Sequence, residues 1–529
     1  MAAATLTFHD TWRPKANPWL IAITVTLATF MEALDTSIVN VAMPHISGTL
    51  SASRDEATWV LTSYLVANAV VLPISGWIAN RIGRKRFYMS CVMLFTLTSL
   101  LCGLAPSLGA LVFFRVLQGA AGGGLQPSEQ AILADTFPPQ KRSMAFAVYG
   151  MAVVMAPALG PTFGGWIVDN ASWRWLFFLN IPVGIISLIL TQRLVEDPPY
   201  LAAIRKKREG IDYWGLGLLV VFIGALQMML DKGQEDDWFS SRFIVTAAIL
   251  ACVSFVIFLW RELNVDHPIV DLRLFKRRNI AMTQFVMFMV GASLYSTTVL
   301  IPQYLQEVMG YSARQAGMAI STGGLVLLVL FPVAGALAPK FDPRVLVATG
   351  FAITTYGLIR MTNINQNINF GMAVSWRAVI AVGLPFLFIP INTLCYAGVP
   401  QEKNNEVSGL TALSRNVGGS VGISFVTTLL ARFAQRHQAM LIANTVAGNS
   451  PFDRLKAGMT AAWMQRGWSQ PDSAFHSGAQ IYGMLLSQAR TLAYVDVIWI
   501  LVGITGILIP LPFLMKRPKK GAGAAAPVH

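Results

Sequence analysis

The chain has 529 residues, of which 54% are hydrophobic and only 12% charged. Soluble proteins carry about 25% charged residues, so this composition excludes a string of soluble domains and points to a helical bundle in a membrane. The net charge of +14 would suit nucleic acid in a soluble protein. Here the basic residues gather in short segments instead, at 81–86, 141–142, 205–208, 273–278 and 516–520. That is the signature of cytoplasmic loops, and no nucleic-acid partner is expected.

Apolar runs between charged loops predict fourteen spanning helices, near 19–42, 57–79, 87–105, 108–134, 143–168, 174–193, 212–230, 242–261, 280–301, 313–337, 345–362, 374–398, 406–431 and 491–515. An even number puts both termini on one side, and the basic loops make that side the cytoplasm. The N-terminal stretch 1–18 is polar and has no small-residue cleavage site, so the first helix reads as an uncleaved anchor. Residues 432–490 mix Gly, Ser, Gln, Asn and Met with Trp463 and Trp468. They read as the largest loop, on the far side: a soluble flap or a docking surface. Residues 521–529 at the end of the tail are low in complexity. Cys91, Cys102, Cys252 and Cys395 lie in apolar runs without metal spacing and read as core packing. No cofactor or metal is expected. With no His/Cys cluster, phosphate loop or nucleophile–base pair in view, an enzyme or an ATP-driven pump is disfavoured.

The first helix holds two carboxylates, Glu32 and Asp35, where lipid should be. A charge at mid-membrane costs at least ~2.5–3.5 kcal/mol, so such residues are read as functional. Burial favours the neutral carboxyl, which can then take up and release a proton. Three apart, the two share a helix face. Arg115 lies inside the fourth run and needs an acid; Glu129 is another membrane acid, further along that run. Tyr64, Asn68, Gln126, Gln284, Tyr295, Gln303, Tyr304, Asn392 and Asn416 are polar or aromatic within helices, as the lining of a cavity for amphipathic ligands would be. Gly119 with Gly123, and Gly418 with Gly422, have the four-residue spacing of close helix packing.

The chain repeats itself. Gly76, Ala79 and Arg81 at the end of the second helix recur as Gly335, Ala338 and Lys340 at the end of the tenth. Gly160-Pro161 and Gly164 in the fifth helix are echoed by Gly418, Gly419 and Gly422 in the thirteenth. Both pairs differ by eight helices, so six helices repeat as six with two inserted between. The expected domains are a cytoplasmic stretch 1–18, a first bundle 19–193, a linker with two extra helices 194–279, a second bundle 280–515 that includes a periplasmic loop 432–490, and a cytoplasmic tail 516–529.

Leu34 to Pro44, Gly76 to Arg86, Arg115-Val116-Leu117-Gln118-Gly119, Gly160 to Gly165, Trp173 to Pro182, Leu226 to Gly233, Pro268 to Leu272 and Asn405 to Gly422 together carry a resemblance. The chain resembles the fourteen-helix drug:proton antiporter branch of the major facilitator superfamily, and is similar to EmrB-type multidrug exporters along nearly its whole length. The resemblance implies an all-α fold of two six-helix bundles plus two linking helices, and proton-driven export of hydrophobic or amphipathic drugs. Asp35, in the family motif, becomes the first candidate for the proton site, with Arg115 and Glu129 tuning it. Glu32 lies outside that motif and reads as proton coupling, recognition of cationic drugs or a structural hydrogen bond. The loop of Gly76, Arg81, Gly83 and Arg84 resembles the superfamily's gate latch, with Asp135 a partner acid. Asn80 stands where an acid is common, which removes one expected ion pair. Gly160, Pro161 and Gly164 resemble the antiporter motif thought to limit leak. The resemblance also implies an inner-membrane location, an EmrA-like periplasmic adaptor and a TolC-like outer-membrane channel. A stand-alone exporter, or proton-coupled uptake of a nutrient or chelate, is the alternative.

Overall fold

The computed structural model describes residues 12, 14–206, 212–265, 268–397, 399–446 and 448–515. The start of the chain, Lys207 and Arg208 of one basic segment, and the tail 516–529 lie outside the described residues. Among the described residues the secondary structure is helical, without strands. The first half comprises α1 (Pro18–Thr49), α2 (Arg54–Ile82), α3 (Arg84–Gly103), α4 (Leu108–Gly122) continued by α5 (Leu125–Thr136), α6 (Pro139–Asn170), and α7 (Trp175–Phe178) leading into α8 (Asn180–Leu194). A short α9 (Pro199–Lys206) precedes the inserted pair, α10 (Tyr213–Lys232) and α11 (Arg242–Asn264). The second half comprises α12 (Arg278–Glu307), α13 (Ala313–Leu337), α14 (Pro343–Met361), α15 (Phe370–Leu394), α16 (Asn404–Ile442), α17 (Ser450–Gln465) and α18 (Gln470–Ile507).

Thirteen of the described helical segments are long and apolar enough to cross a membrane. The fourteenth expected span forms as α14, whose ends carry Arg344 and Arg360 and lower its apolarity. The expected fourth helix is broken. Gly122, Gly123 and Gly124 are poor helix formers and Pro127 lacks an N–H, so α4 stops and α5 restarts.

The expected loop 432–490 is largely helical instead. α16 runs on to Ile442, α17 packs on α18, and α18 begins at Gln470. Its Ala, Gln, Met, Leu and Arg are good helix formers, so polarity here marks a helical extension. Trp463 Nε1 donates to Gln480 Oε1 at 3.2 Å, and His476 stacks on Trp463 at 5.1 Å. Cys252 also departs from the core role expected of it: it is exposed on α11, among outward-facing Ile249, Val253 and Val256.

Helix pairing repeats between the halves. α1 packs on α6, α2 on α4 and α3 on α8; in the second half α12 packs on α16, α13 on α15 and α14 on α18. Glycines set the contacts. A Cβ at Gly160 or Gly164 would run into Ser37 or Ile38 of α1, and one at Gly418 or Gly422 into Phe288 or Ala292 of α12. The sequence echo between those glycines is thus one contact made twice. The halves meet along α6–α13 and α2–α16. The inserted pair bridges them: Lys232 reaches Thr58 of α2, and Gln227 Nε2 donates to Ser420 Oγ of α16 at 2.7 Å.

Gly418→Ala forces α16 away from the Phe288 carbonyl, and overpacking of this kind costs about 1–3 kcal/mol. Gly478 in α18 faces open space, where Ala gains up to ~1 kcal/mol in helix propensity. Thermal denaturation of the two purified variants should move in opposite directions, downward for Gly418→Ala.

Candidate functional site

Three polar networks lie inside the helices. The first surrounds Asp35. Arg115 Nη1 donates to Asp35 Oδ2 at 2.5 Å, and both side chains are 0% exposed. Asp35 Oδ1 accepts from Asn180 Nδ2 at 2.7 Å and from Gln118 Nε2 at 3.2 Å. Arg115 is held further by the Val60 carbonyl at 3.1 Å, by Gln118 Oε1 at 2.9 Å, and by the Tyr64 ring, 4.1 Å beneath it. The pair draws on four helices: α1 supplies the acid, α4 the arginine and glutamine, α2 the ring and carbonyl, and α8 the asparagine. In so dry a place neither ion is stable without the other.

The second network surrounds Glu32, one turn before Asp35. Glu32 Oε1 accepts from Tyr64 Oη and Asn68 Nδ2, both at 3.2 Å, and Oε2 from Gln126 Nε2 at 2.6 Å. It continues into the second half. Arg415 Nη2 donates to Gln126 Oε1, Arg415 Nη1 to Tyr149 Oη at 2.9 Å, and Asn416 Nδ2 to Asn68 Oδ1 at 3.3 Å. Glu32 is therefore an anchor between the halves, while Asp35 is internal to the first.

The third network closes one end of the bundle. Gly83, at φ 99°, turns α2 directly into α3, a conformation that glycine adopts without strain. This turn sends Arg84 inward. It forms an ion pair with Asp135, and its Nη2 donates to Tyr200 Oη at 3.0 Å. The second half joins through α16: Arg84 Nε donates to Asn405 Oδ1 at 2.6 Å, and Asn404 Nδ2 to Asp135 Oδ1 at 2.7 Å. Asn405 Nδ2 donates to Asn80 Oδ1 at 2.5 Å, so an amide pair occupies the place of the acid expected at Asn80. Gly76 lets the α16 backbone at Asn405 come close. Arg81 lies over Trp77.

The other expected site residues are spread more widely. Glu129 is buried but bonds Thr26 Oγ1 at 2.5 Å, on the side of α1 away from Arg115. Gln284 ties α12 to α16 through Thr411 and Ser414 at 3.0 Å each. The Tyr295 ring packs against Gly419. Gln303 bonds Glu307 one turn on, Tyr304 packs edge-on to Tyr494, and Asn392 bonds its own helix at Phe388; none of these three joins the Glu32 network. Pro161 lies against Gly317 of α13, and Thr162 shares a hydrogen bond with Ser321 at 2.8 Å across the halves.

Sequence reasoning passed over Gln118, Asn180 and above all Arg415. A lone arginine inside an apolar helix is the same signal that drew attention to Arg115, and it stood in plain view in the thirteenth helix. Asn180 gave no such signal, because it sits at the start of α8 beside a loop.

Membrane-length helices in two repeated halves, joined by polar networks at their interface, define a multi-pass membrane transporter. The Major Facilitator Superfamily profile matches residues 25–423. The chain is 35% identical to the multidrug export protein EmrB of Escherichia coli K12, over 96% of this chain and 98% of that one. It is 36% identical to the EmrB of Haemophilus influenzae, over 93% and 95%. The crystal structure of the human organic anion transporter MFSD10 has a similar fold, with a TM-score of 0.56, 13% identity, and coverage of 78% of this chain and 94% of that one. The chain belongs to the major facilitator superfamily, among its EmrB-type multidrug export proteins.

Removing one member of a buried pair strands the other, at a cost of about 3–5 kcal/mol. Arg115→Gln should therefore lower the melting temperature sharply. Adding Asp35→Asn to it should recover most of the loss, a coupling that a double-mutant cycle measures.

Proposed function

We propose that the chain exports hydrophobic or amphipathic compounds from the cytoplasm in exchange for protons, by alternating access of two halves, 19–193 and 280–515, about a linker 194–279. The buried Asp35–Arg115 pair carries this reading. Ionised, Asp35 is committed to Arg115. Protonated, it no longer compensates the guanidinium, and the helices α1, α2, α4 and α8 that converge on the pair must rearrange to find Arg115 another partner. A proton at Asp35 is thereby converted into a helix movement. The Glu32–Gln126–Arg415 chain and the Arg84–Asp135–Asn404 clamp tie the halves at two levels, so a carrier cycle breaks and remakes them. Glu32 supplies a negative site for cationic substrates at that seam.

In this reading the termini and the Arg84 end face the cytoplasm, the protein sits in a bacterial inner membrane, and α16–α18 project into the periplasm. Both EmrB relatives are multidrug export proteins, which supports export over uptake. The projection supports a periplasmic membrane-fusion adaptor and a TolC-like outer channel as partners, since it offers a rigid surface beyond the membrane.

In proteoliposomes, Asp35→Asn should abolish substrate-dependent proton flux while still binding substrate. Full coupled flux from that variant would sink the reading. Glu32→Gln should keep coupling but weaken binding of a cationic probe such as ethidium by roughly tenfold, about 1.4 kcal/mol, relative to a neutral one.

A further inference from the structure

Arg377 is the eighth residue of α15, as Arg115 is the eighth of α4. The two helices hold equivalent places: α4 packs on α2 and α3, and α15 on α13 and α14. Each arginine has an unpartnered nitrogen among the described residues, Nη2 in Arg115, but they differ in what surrounds them. Arg115 has Asp35, two amide or carbonyl oxygens and a ring. Arg377 is 2% exposed, and its Nε and Nη1 have no hydrogen-bond partner among the described residues.

The surrounding helices offer no counter-ion. α13, α14 and α15 contain no Asp or Glu; α12, which stands where α1 stands in the first half, has only Glu307 in its exposed last turn, and α6, which also packs on α15, has only the exposed Asp169 next to its end. Nevertheless the site is built to take the arginine. Gly323 of α13 lies against its stem, where a Cβ would come within 3.0 Å of Cγ and 3.1 Å of Nε. Trp376, Ile380 and Ala319 belong to one buried apolar cluster beside it. A guanidinium cannot shed its proton, and a buried cation needs an anion. Here none of the described residues supplies one.

We infer that Arg377 receives the anionic head of an amphipathic substrate, a carboxylate on an apolar body. The planar fork of Arg matches a carboxylate through two parallel hydrogen bonds, and the adjacent apolar cluster suits the body. The first half thus carries an arginine with its own acid, and the second half an arginine whose acid arrives with the substrate. This assignment rests on the transport reading, since the separation of the halves admits the ligand. It also complements Glu32: one seam recognises cations, and one buried arginine in the second half recognises anions.

The test uses the full chain in nanodiscs of zwitterionic lipid, with 2-naphthoate and its uncharged isostere 2-naphthamide as probes. The wild type should bind naphthoate at least about tenfold more tightly than naphthamide, the discrimination a charge-assisted pair provides. Arg377→Gln should erase that preference and leave naphthamide affinity unchanged, and Arg377→Lys should retain part of it. The melting temperature without ligand gives an independent readout. Because no internal bond is lost, Arg377→Gln should match or exceed the wild type. A persistent naphthoate preference in Arg377→Gln, equal affinities in the wild type, or a marked fall in melting temperature would each overturn the site. Proton-driven export of naphthamide from proteoliposomes reports separately on the transport reading and does not involve Arg377.

Discussion

A carboxylate and a guanidinium, both fully buried, are the constraint on which the first half depends. Removing two charges from water costs several kcal/mol each, and only a close, fully bonded geometry compensates. Asp35 and Arg115 come close to it with donors and acceptors from α1, α2, α4 and α8, Arg115 Nη2 being left without a partner among the described residues. The need to satisfy the pair fixes how these helices sit. The close approach of α4 to α2 at Gly119 and of α6 to α1 at Gly160 brings the partners within bonding distance. Packing and electrostatics are one design here: a bulkier residue at either glycine would move the partners of a charge that tolerates no displacement.

The same logic operates more loosely between the halves. Glu32 and Arg415 do not touch; Gln126 stands between them and bonds both. The Arg84 clamp likewise joins α16 through the amides of Asn404 and Asn405. The direct ion pairs Asp35–Arg115 and Arg84–Asp135 brace the first half, while single hydrogen bonds through amides and the Tyr149 hydroxyl connect one half to the other. These bonds each have a charged partner, Arg84, Asp135, Glu32 or Arg415, and contribute about 1.5–3 kcal/mol each, against about 3–5 kcal/mol for breaking a buried ion pair. Opening the seam takes Gln126 and Tyr149 away from the buried Arg415, so movement of the halves must offer it new partners, just as the Asp35–Arg115 pair cannot separate without a change of protonation or partner. This hierarchy suits a carrier whose halves rock while each stays intact.

Much of the fold was legible in the sequence, because a membrane imposes a length on each helix and a sign on each loop. The eight-helix offset between the Gly160 and Gly418 segments anticipated the repeated pairing. Where reading failed, it failed for physical reasons. Polarity in 432–490 predicts a loop, but outside lipid a helix is free to be polar, and the parts of α16 to α18 within this stretch are. Cys252 followed the apolar rule into an expected core, whereas in a membrane an apolar helix such as α11 faces outward as readily as inward. The site was half legible. Charged residues in apolar runs identified Asp35, Glu32 and Arg115, and the same rule applied evenly would have added Arg415 and Arg377. Neutral partners such as Gln118, Asn180 and Tyr149 acquire their meaning only from the charges they meet in three dimensions. For the same reason Gln303, Tyr304 and Asn392 resembled Asn68 and Gln126 in sequence yet lie apart from them.

The central claim is that Asp35 is the group whose protonation releases Arg115 and sets the halves moving. Infrared difference spectroscopy of the purified chain on acidification reads this directly, through the carbonyl stretch of a newly protonated carboxyl. The account predicts a component of that band that disappears in Asp35→Asn and persists in Glu32→Gln and Glu129→Gln, accompanied by amide changes that report helix movement. A full band and full amide changes in Asp35→Asn would contradict it.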